Sequence, residues 1–317
     1  KHHAGRTGGT LTMGPAQQSA TEPDLNLSDA DFAALANLLY FETGIYLPDF
    51  KRAMVVSRLS KRLRELRLPD MNTYRRLVEG DQGHDERARM ISLLTTNVTH
   101  FFREIQHFDD LRAAVLPGLI KAARRGERVR IWSAGCSTGE EAYSLAFTVL
   151  DMCPEAATLD FRILGTDIDP EVIATAQQGV YFNKRLKTVP ERYLENYFVA
   201  APATAEKREV GSEPRQIIAF RKLNLLQAWP FSGFFDVIMC RNVTIYFEKE
   251  TQDFLRLRFA ERLKSDGRLY VGHSEHRLGT ESAFFRPLSS GVFLRTDAIV
   301  RPEMIPASAP YSPEVIR

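Results

Sequence analysis

The chain has 317 residues, of which 44% are hydrophobic and 26% are charged, and this composition is typical of a folded globular protein rather than a disordered or fibrous one. Its net charge of +2 at pH 7 excludes recognition of a partner by overall charge, so that only local charge clusters remain for that purpose. The three cysteines are widely separated and include no C-x-x-C pair, which argues against a disulfide framework and against a structural zinc site. The sequence also contains no apolar run of about 18–20 residues, the length that spans a membrane. Together these features predict a cytoplasmic protein.

Residues 1–26 are polar and contain many Gly, Ser and Thr residues, and we interpret them as disordered or as a cloning addition to the natural chain. A helical N-terminal domain is predicted for residues 27–94. It begins with a capping box at Ser28 and Asp31, and Gly44 is predicted to end its first helix. Further helical patterns follow at residues 51–67, 74–79 and 86–94.

The second predicted helix carries a band of basic residues. Arg58, Lys61, Arg64 and Arg67 recur at three-residue steps, and Glu65 is the only acid in that run. A solvated basic helix face is the commoner explanation of such a band. The alternative is an acidic partner, either an acidic helix or a phosphate backbone, because acids are sparse along the band.

Residues 95–125 form a linker segment that begins with hydroxyl and amide side chains and then carries a Phe-Phe pair. Because aromatic side chains need burial, we expect this segment to pack against the domain that follows it. It would then offer Asn97, Thr99 and Arg103 to a cleft.

An α/β domain is predicted for residues 126–298. It opens with a strand from Val129, a Gly135-x-x-x-Gly139 loop and a helix over residues 140–152. Such a unit begins a doubly wound sheet, in which the ligand crevice lies beyond the carboxyl end of the strand. The loop differs from G-x-G-x-x-G, so a pyrophosphate-bearing dinucleotide has little support.

Two acids, Glu140 and Glu141, begin the helix after this loop. Carboxylates at a helix start repel a phosphate and suit a cationic or hydroxyl-rich ligand better. For Glu140 we prefer the simpler explanation, a favourable interaction with the helix dipole.

The second predicted strand, over residues 161–169, ends in Asp167 and Asp169. A carboxylate at this place can accept hydrogen bonds from both hydroxyls of a ribose. Asp169 precedes Pro170 and also fits the role of a helix N-cap. The span 180–219 breaks the α/β alternation, and we expect it to be an insertion beside the sheet.

A buried strand that starts at Phe235 delivers Arg241 and Asn242 at its end, with Tyr246 one turn further on. After a helix and another strand, the chain ends in a Pro-rich tail. We expect this tail, residues 299–317, to be flexible.

Several motifs, taken together and in order, match one family. They are Thr95–Glu104, Trp132–Glu141, Thr166–Asp169, Asn224-Leu225, Cys240–Phe247 and Gly272–Glu275. Over residues 27–298 the sequence resembles the CheR-type chemotaxis receptor methyltransferases. Members of that family esterify glutamates on receptor cytoplasmic helices and use S-adenosylmethionine as the methyl donor.

The resemblance implies a doubly wound, Rossmann-like methyltransferase domain with a helical N-terminal domain and a small inserted β-subdomain. It implies cofactor binding by Asn97, Thr99, Arg103, Glu141, Asp167, Asn224, Leu225, Arg241 and Asn242. Arg103 and Tyr246 match the residues that the family places beside the transferred methyl and the substrate carboxylate. Candidates for docking on acidic receptor helices are Arg58, Lys61 and Arg64. The resemblance also implies that the enzyme releases S-adenosylhomocysteine as its product. The enzyme would work as a monomer, need no metal, bind no nucleic acid and not insert into a membrane.

Two positions depart from the family pattern. Ala142 stands where the family usually has Pro, and Thr244, close to Tyr246, stands where it usually has a large apolar residue.

Two other functions would share the cofactor site, namely methylation of a nucleic acid or small molecule and a cofactor-sensing scaffold without turnover. The modest net charge and the lack of an Asn/Asp-Pro-Pro-aromatic motif argue against a nucleic acid, and the presence of Arg103 and Tyr246 argues against a scaffold.

Overall fold

A computed structural model describes residues 23–201, 205–277, 279 and 283–306 of the chain. Most of the predicted N-terminal stretch, residues 1–22, and the end of the predicted tail, residues 307–317, lie outside the described residues. Within the described part, no helix combines the length and the apolar character needed to cross a bilayer.

The N-terminal domain is a bundle of four helices around a core of its own. They are α1 (Asp29–Thr43), α2 (Arg52–Leu66), α3 (Met71–Glu79) and α4 (His84–Leu94). The cap at Ser28 is confirmed, because the Asp31 amide donates to the Ser28 hydroxyl at 3.1 Å, and Gly44 ends α1 with φ 73°. The Asp31 carboxylate accepts from the Ser28 hydroxyl at 2.6 Å, whereas in a full capping box it would accept from the Ser28 amide. Helix α3 begins earlier than predicted because the Asp70 side chain caps it, accepting from the Thr73 amide at 2.7 Å.

The second domain is built on a seven-stranded sheet. Its strands, in chain order, are β1 (Val129–Ala134), β2 (Phe161–Asp167), β6 (Ile218–Lys222), β7 (Phe235–Cys240), β8 (Leu263–Val271), β9 (Phe285–Ser289) and β10 (Val292–Arg295). The three strands between β2 and β6 form a smaller sheet. The order is β6-β2-β1-β7-β8-β10-β9, and β6, β2, β1, β7 and β8 run parallel. The strand order reverses between β1 and β7, so a ligand crevice is expected beyond their carboxyl ends.

Helices cover both faces of this sheet. The helices of this domain are α5 (Ile105–Asp110), α6 (Leu116–Arg124), α7 (Glu140–Met152), α8 (Pro170–Gln178), α9 (Glu191–Tyr197), α10 (Ser212–Gln216) and α11 (Lys249–Arg262), of which α9 contacts the smaller sheet. A π-helical turn at Leu111–Val115 joins α5 to α6. The predicted helix over residues 140–152 is confirmed with the same bounds. The doubly wound fold class is likewise confirmed.

The predicted insertion contains an antiparallel sheet of three short strands, β3 (Val180–Phe182), β4 (Phe198–Ala200) and β5 (Lys207–Val210), in the order β3-β5-β4. Its predicted end at residue 219 differs from the structure. Strand β6 begins at Ile218 and pairs in parallel with β2, so it belongs to the main sheet. A short strand gives no periodic signal that tells these two sheets apart.

The predicted linker, residues 95–125, is part of the α/β domain rather than a connection between domains. Phe101 is fully buried and Phe102 nearly so, as expected for an aromatic pair, and both belong to the core that covers one face of the sheet. The first residues of the predicted flexible tail also pack, since Val300 and Ile305 contact buried clusters.

Candidate active site

A cleft of about 940 Å³, counting its open mouth, lies at the carboxyl ends of β1, β2 and β7. The N-terminal domain supplies part of its wall through Thr43 and Ile45, which the sequence did not indicate. All ten residues predicted for the cofactor and for catalysis border it, namely Asn97, Thr99, Arg103, Glu141, Asp167, Asn224, Leu225, Arg241, Asn242 and Tyr246. The three predicted docking residues do not.

The loop between β1 and α7 forms the floor of the cleft. Gly135 has φ +86°, and a Cβ atom there would lie 2.3 Å from Cγ2 of Val243, so any other residue would strain the backbone and displace the Val243 side chain. Ser137 adopts φ 49°, and its amide donates to Oδ2 of Asp167 at 2.9 Å. The glycine loop and the end of β2 are therefore locked together.

The two aspartates after β2 have different environments. Asp167 borders the cleft, and burial raises the pKa of its carboxyl to about 6. Asp169 is fully buried and caps α8, accepting from the Glu171 amide at 2.8 Å, which confirms its predicted capping role. Its second oxygen accepts from Nδ2 of Asn97 at 2.8 Å and from the Ser92 hydroxyl at 2.9 Å, so this carboxylate also fixes the wall that carries Asn97.

Arg241 lies between two carboxylates. Its Nη1 is 3.1 Å from Oε2 of Glu141, and its Nη2 is 3.2 Å from Oε2 of Glu104 and donates to the Arg103 carbonyl. Burial raises the pKa of Glu141, and the charge of Arg241 opposes that rise. Glu141 also accepts from the Ser133 hydroxyl at 2.7 Å. This buried ion network joins β1, β7 and the segment around residue 103.

The proposed catalytic side chains sit on constrained backbone. The neighbours of Arg103 are held in the left-handed region, with φ 55° at Phe102 and 53° at Glu104. Half-buried Arg103 donates from Nη1 to the Val98 carbonyl at 3.1 Å. Tyr246 ends a 3-10 turn, and its carbonyl accepts from the Tyr46 amide of the N-terminal domain at 3.0 Å.

Three residues behave differently from their predictions or were missed. Thr244 is buried and its hydroxyl donates to Oε1 of Glu275 at 2.8 Å, so this departure from the family pattern adds a contact beneath the cleft. Asn224 borders the cleft, but its amide bonds the Glu42 carbonyl and the Leu226 amide. No role was predicted for Glu275, although it ends the Gly272–Glu275 motif that follows a buried strand.

The predicted docking residues lie on α2. Lys61 and Arg64 are exposed, and Lys61 stands 3.7 Å from Glu65. Arg58 is half-buried, and its Nη1 donates to the carbonyls of Leu93, Leu94 and Thr95 at 2.6–3.1 Å. The Arg58 side chain therefore caps the C-terminal end of α4, a role that the charge pattern did not indicate.

Two buried polar atoms at the cleft have no partner among the described residues, Nε of Arg241 and Oδ1 of Asn242. One is a hydrogen-bond donor and the other an acceptor, so together they fit a ligand that carries both a carboxylate and an amino group. Asp167 nearby fits vicinal hydroxyls. No group of side chains suited to a metal ion occurs in the described part of the chain.

Comparisons with known proteins agree over most of the chain. A family model described as the CheR methyltransferase SAM binding domain matches residues 97–292, and one described as the CheR methyltransferase all-alpha domain matches residues 30–95. A probable chemotaxis protein methyltransferase of Rhizobium etli is 45% identical over 249 residues, which are 78% of this chain and 93% of that protein. The chemotaxis protein methyltransferases of Salmonella typhimurium and Escherichia coli are each 41% identical, over 80% and 82% of this chain and 85% and 89% of their own lengths.

Proposed function

This chain belongs to the CheR methyltransferase family, and on that premise we propose which of its residues bind S-adenosylmethionine and which orient the substrate glutamate. The protein is a chemotaxis protein methyltransferase, a protein-glutamate methyltransferase that acts on chemoreceptors. The observation that supports the residue assignments is the convergence of all ten predicted side chains on one cleft at the topological switch point of the sheet.

In this proposal the amino-acid end of the cofactor lies beside Arg241 and Asn242. The unpartnered Nε of Arg241 would donate to the carboxylate, and Oδ1 of Asn242 would accept from the amino group. Glu141 holds Arg241 in place and adds negative charge near the amino group. Asp167 would accept from the ribose hydroxyls, while Val98 and Leu225 supply apolar wall. The bound cofactor supplies the activated methyl group.

The chain's own catalytic task is positioning. A glutamate carboxylate is already ionised near pH 7, so its attack needs no general base. It needs placement at about 3–3.5 Å from the methyl carbon and exclusion of water. We assign Arg103 and the Tyr246 hydroxyl to holding the carboxylate, because both border the cleft and neither is buried in an ion pair. Thr43 and Ile45 of the N-terminal domain narrow the access of water.

The test is transfer of a labelled methyl group to receptor cytoplasmic fragments. We expect label on glutamate side chains that is released by mild base, as methyl esters are. Base-stable label, or label on nucleic acid or small molecules alone, would contradict the assignment of the substrate. Calorimetric binding of S-adenosylhomocysteine without any transfer would instead support a scaffold.

We propose that the exposed basic residues of α2 attract the acidic receptor helices. Reversing both charges, Lys61→Glu with Arg64→Glu, should lower receptor methylation about 10-fold at low salt, because a charged surface raises the rate of encounter. The salt dependence of the rate should weaken as well. Methylation is measured between about 50 and 300 mM salt, across which the Debye length shortens.

The matched control reverses Lys121 and Arg125, two exposed basic residues of the α/β domain. It changes the net charge equally and should leave methylation near the wild-type rate. Arg58 is left unchanged in both proteins because it holds the end of α4. Equal loss of S-adenosylhomocysteine affinity in the α2 variant would mean that the band supports the fold rather than docking.

We expect cofactor binding to depend on pH through the carboxyl group of Asp167. Burial raises the pKa of this carboxyl to about 6 in the folded chain, against 3.8 as its ordinary value. The folded chain therefore binds the proton more tightly than the unfolded chain, and this group lowers stability as pH rises from about 4 to 6. The ionised form accepts more hydrogen bonds, so S-adenosylhomocysteine should bind more tightly as pH rises from 5 to 7.

Calorimetry across that range checks the prediction, with Asp167→Asn as the control. The variant should bind more weakly and lose the step near pH 6. A step that persists in the variant would assign the titration to another group of the cleft, such as Glu141 or His100.

Two further points belong to the proposal. We propose a monomer as the working unit, because the ten predicted site residues of one chain border the cleft and their proposed roles require no residue of a second copy. A substrate segment on the cytoplasmic side of a receptor would place the enzyme in the cytoplasm. Size-exclusion chromatography at assay concentrations tests the first point.

A further inference from the structure

Glu275 gathers an unusual number of hydrogen bonds on one carboxylate. It ends the 3-10 turn His273–Glu275 after β8 and is 4% exposed. Its oxygens accept from the amides of Asn242 (2.6 Å), Val243 (3.0 Å), Ile245 (3.1 Å) and Gly272 (2.7 Å), and from the Thr244 hydroxyl (2.8 Å). Hydrogen bonds to an ionised acceptor are about twice as strong as neutral ones.

Four of these five donors belong to one stretch, residues 242–245, which follows β7. The backbone there turns its amides towards a single anion, and Asn242 adopts φ 59°, a left-handed conformation. Asn242 begins this stretch and Tyr246 directly follows it. The carboxylate thus fixes the piece of chain that carries one proposed cofactor residue and one proposed catalytic residue.

The surroundings leave little freedom to the carboxylate itself. A Cβ atom at position 272 would lie 2.4 Å from Oε2 of Glu275, so the absence of a side chain at Gly272 makes room for the carboxylate. The Glu275 carbonyl accepts from Nη2 of Arg256 on α11 at 3.0 Å, which anchors the residue from the other side. Glu275 does not itself border the cleft.

We propose that Glu275 is a positioning residue for methyl transfer, which holds residues 242–246 so that Asn242 meets the cofactor and Tyr246 meets the substrate carboxylate. This inference rests on the proposed roles of those two residues. It differs from a purely stabilising role in one measurable way. A positioning residue changes the rate of the folded enzyme, whereas a stabilising residue changes only the amount of folded enzyme.

The decisive variant is Glu275→Gln, which keeps the size of the side chain but removes its charge. Its side-chain NH2 group would also face backbone N–H groups, and two donors cannot form a hydrogen bond with each other. A shift of about 1 Å in a catalytic group costs about 100-fold, so we expect kcat/KM per folded enzyme to fall by about 10- to 100-fold. We expect a higher KM for S-adenosylmethionine, through Asn242, together with a lower kcat, through Tyr246. The amides of residues 242, 243 and 245 should exchange hydrogen faster.

Asp236→Asn is the matched control. Asp236 is a nearly buried carboxylate at the opposite end of β7, and it accepts from the Arg130 amide at 2.8 Å and from Nζ of Lys264 at 2.6 Å. Its neutralisation should lower Tm but leave kcat/KM per folded enzyme within about twofold, since distant positions that share no partners act independently.

If Glu275→Gln does not fold, Glu275→Asp decides, because it keeps the charge and only shortens the reach. A fall of kcat/KM in the folded aspartate variant, larger than in the Asp236 control, supports the proposal. Either Glu275 variant with wild-type kcat/KM and cofactor KM, even at a lower Tm, overturns it. A wild-type protein that binds S-adenosylhomocysteine and methylates receptor fragments shows that the proposed function stands, so failure of the inference is separable from failure of the function.

Discussion

Arg103→Ala is expected to lower turnover by about 100-fold or more, because a preorganised charged donor at the reacting group is lost. Its guanidinium borders the cleft and, in the described part of the chain, bonds only the Val98 carbonyl. The side chain is half-buried and takes part in no ion pair there, so its loss should cost little stability. The measurement is the single-turnover rate with saturating cofactor and receptor fragment.

Arg103→Lys separates charge from geometry. Lysine keeps the positive charge but cannot form the two-pronged contact of a guanidinium with a carboxylate, so an intermediate rate is expected. Arg125→Ala, at an exposed position outside the cleft, is the matched control and should keep the wild-type rate. Near-normal turnover of the alanine variant would remove Arg103 from the mechanism.

Much of the site could be predicted because its residues follow parallel strands. Polar residues directly after β1, β2 and β7 meet at one edge of the sheet whatever lies between them in the sequence. The helix Glu140–Met152 was predicted with its observed bounds because Gly139, with φ 95°, marks its start and a continuous helical stripe follows. Local rules suffice where backbone conformation alone decides the element.

The rest depends on contacts that periodicity does not encode. Glu104 and Arg241 are 137 positions apart, and only the packing of the segment around Phe102 against the sheet brings them to 3.2 Å. Thr43 joins the cleft because the two domains meet, as the Tyr46 to Tyr246 contact shows. A sequence pattern identifies buried faces, but not which buried faces come together.

The largest effect on stability is expected at Arg241. Its side chain is 2% exposed and lies between Glu104 and Glu141, whose side chains are 17% and 12% exposed. Arg241→Met would leave two carboxylates close together without their shared partner, and removal of one member of a buried ion network costs about 3–5 kcal/mol. Urea unfolding followed by circular dichroism measures the change in the free energy of unfolding.

The pH dependence of that loss identifies its cause. Burial already raises the pKa of Glu141, and without the opposing charge of Arg241 that pKa should rise further. The folded variant then holds a proton that the unfolded chain releases, so the destabilisation should grow as pH rises from about 5 to 8. Adding Glu141→Gln to Arg241→Met should restore part of the stability, because it removes one of the uncompensated charges. The guanidinium carbon of Arg241 also lies 5.8 Å from the centroid of the Phe108 ring. A loss of stability that is the same at every pH, with no recovery in the double variant, would mean that Arg241 stabilises the fold through this packing and not through its charge.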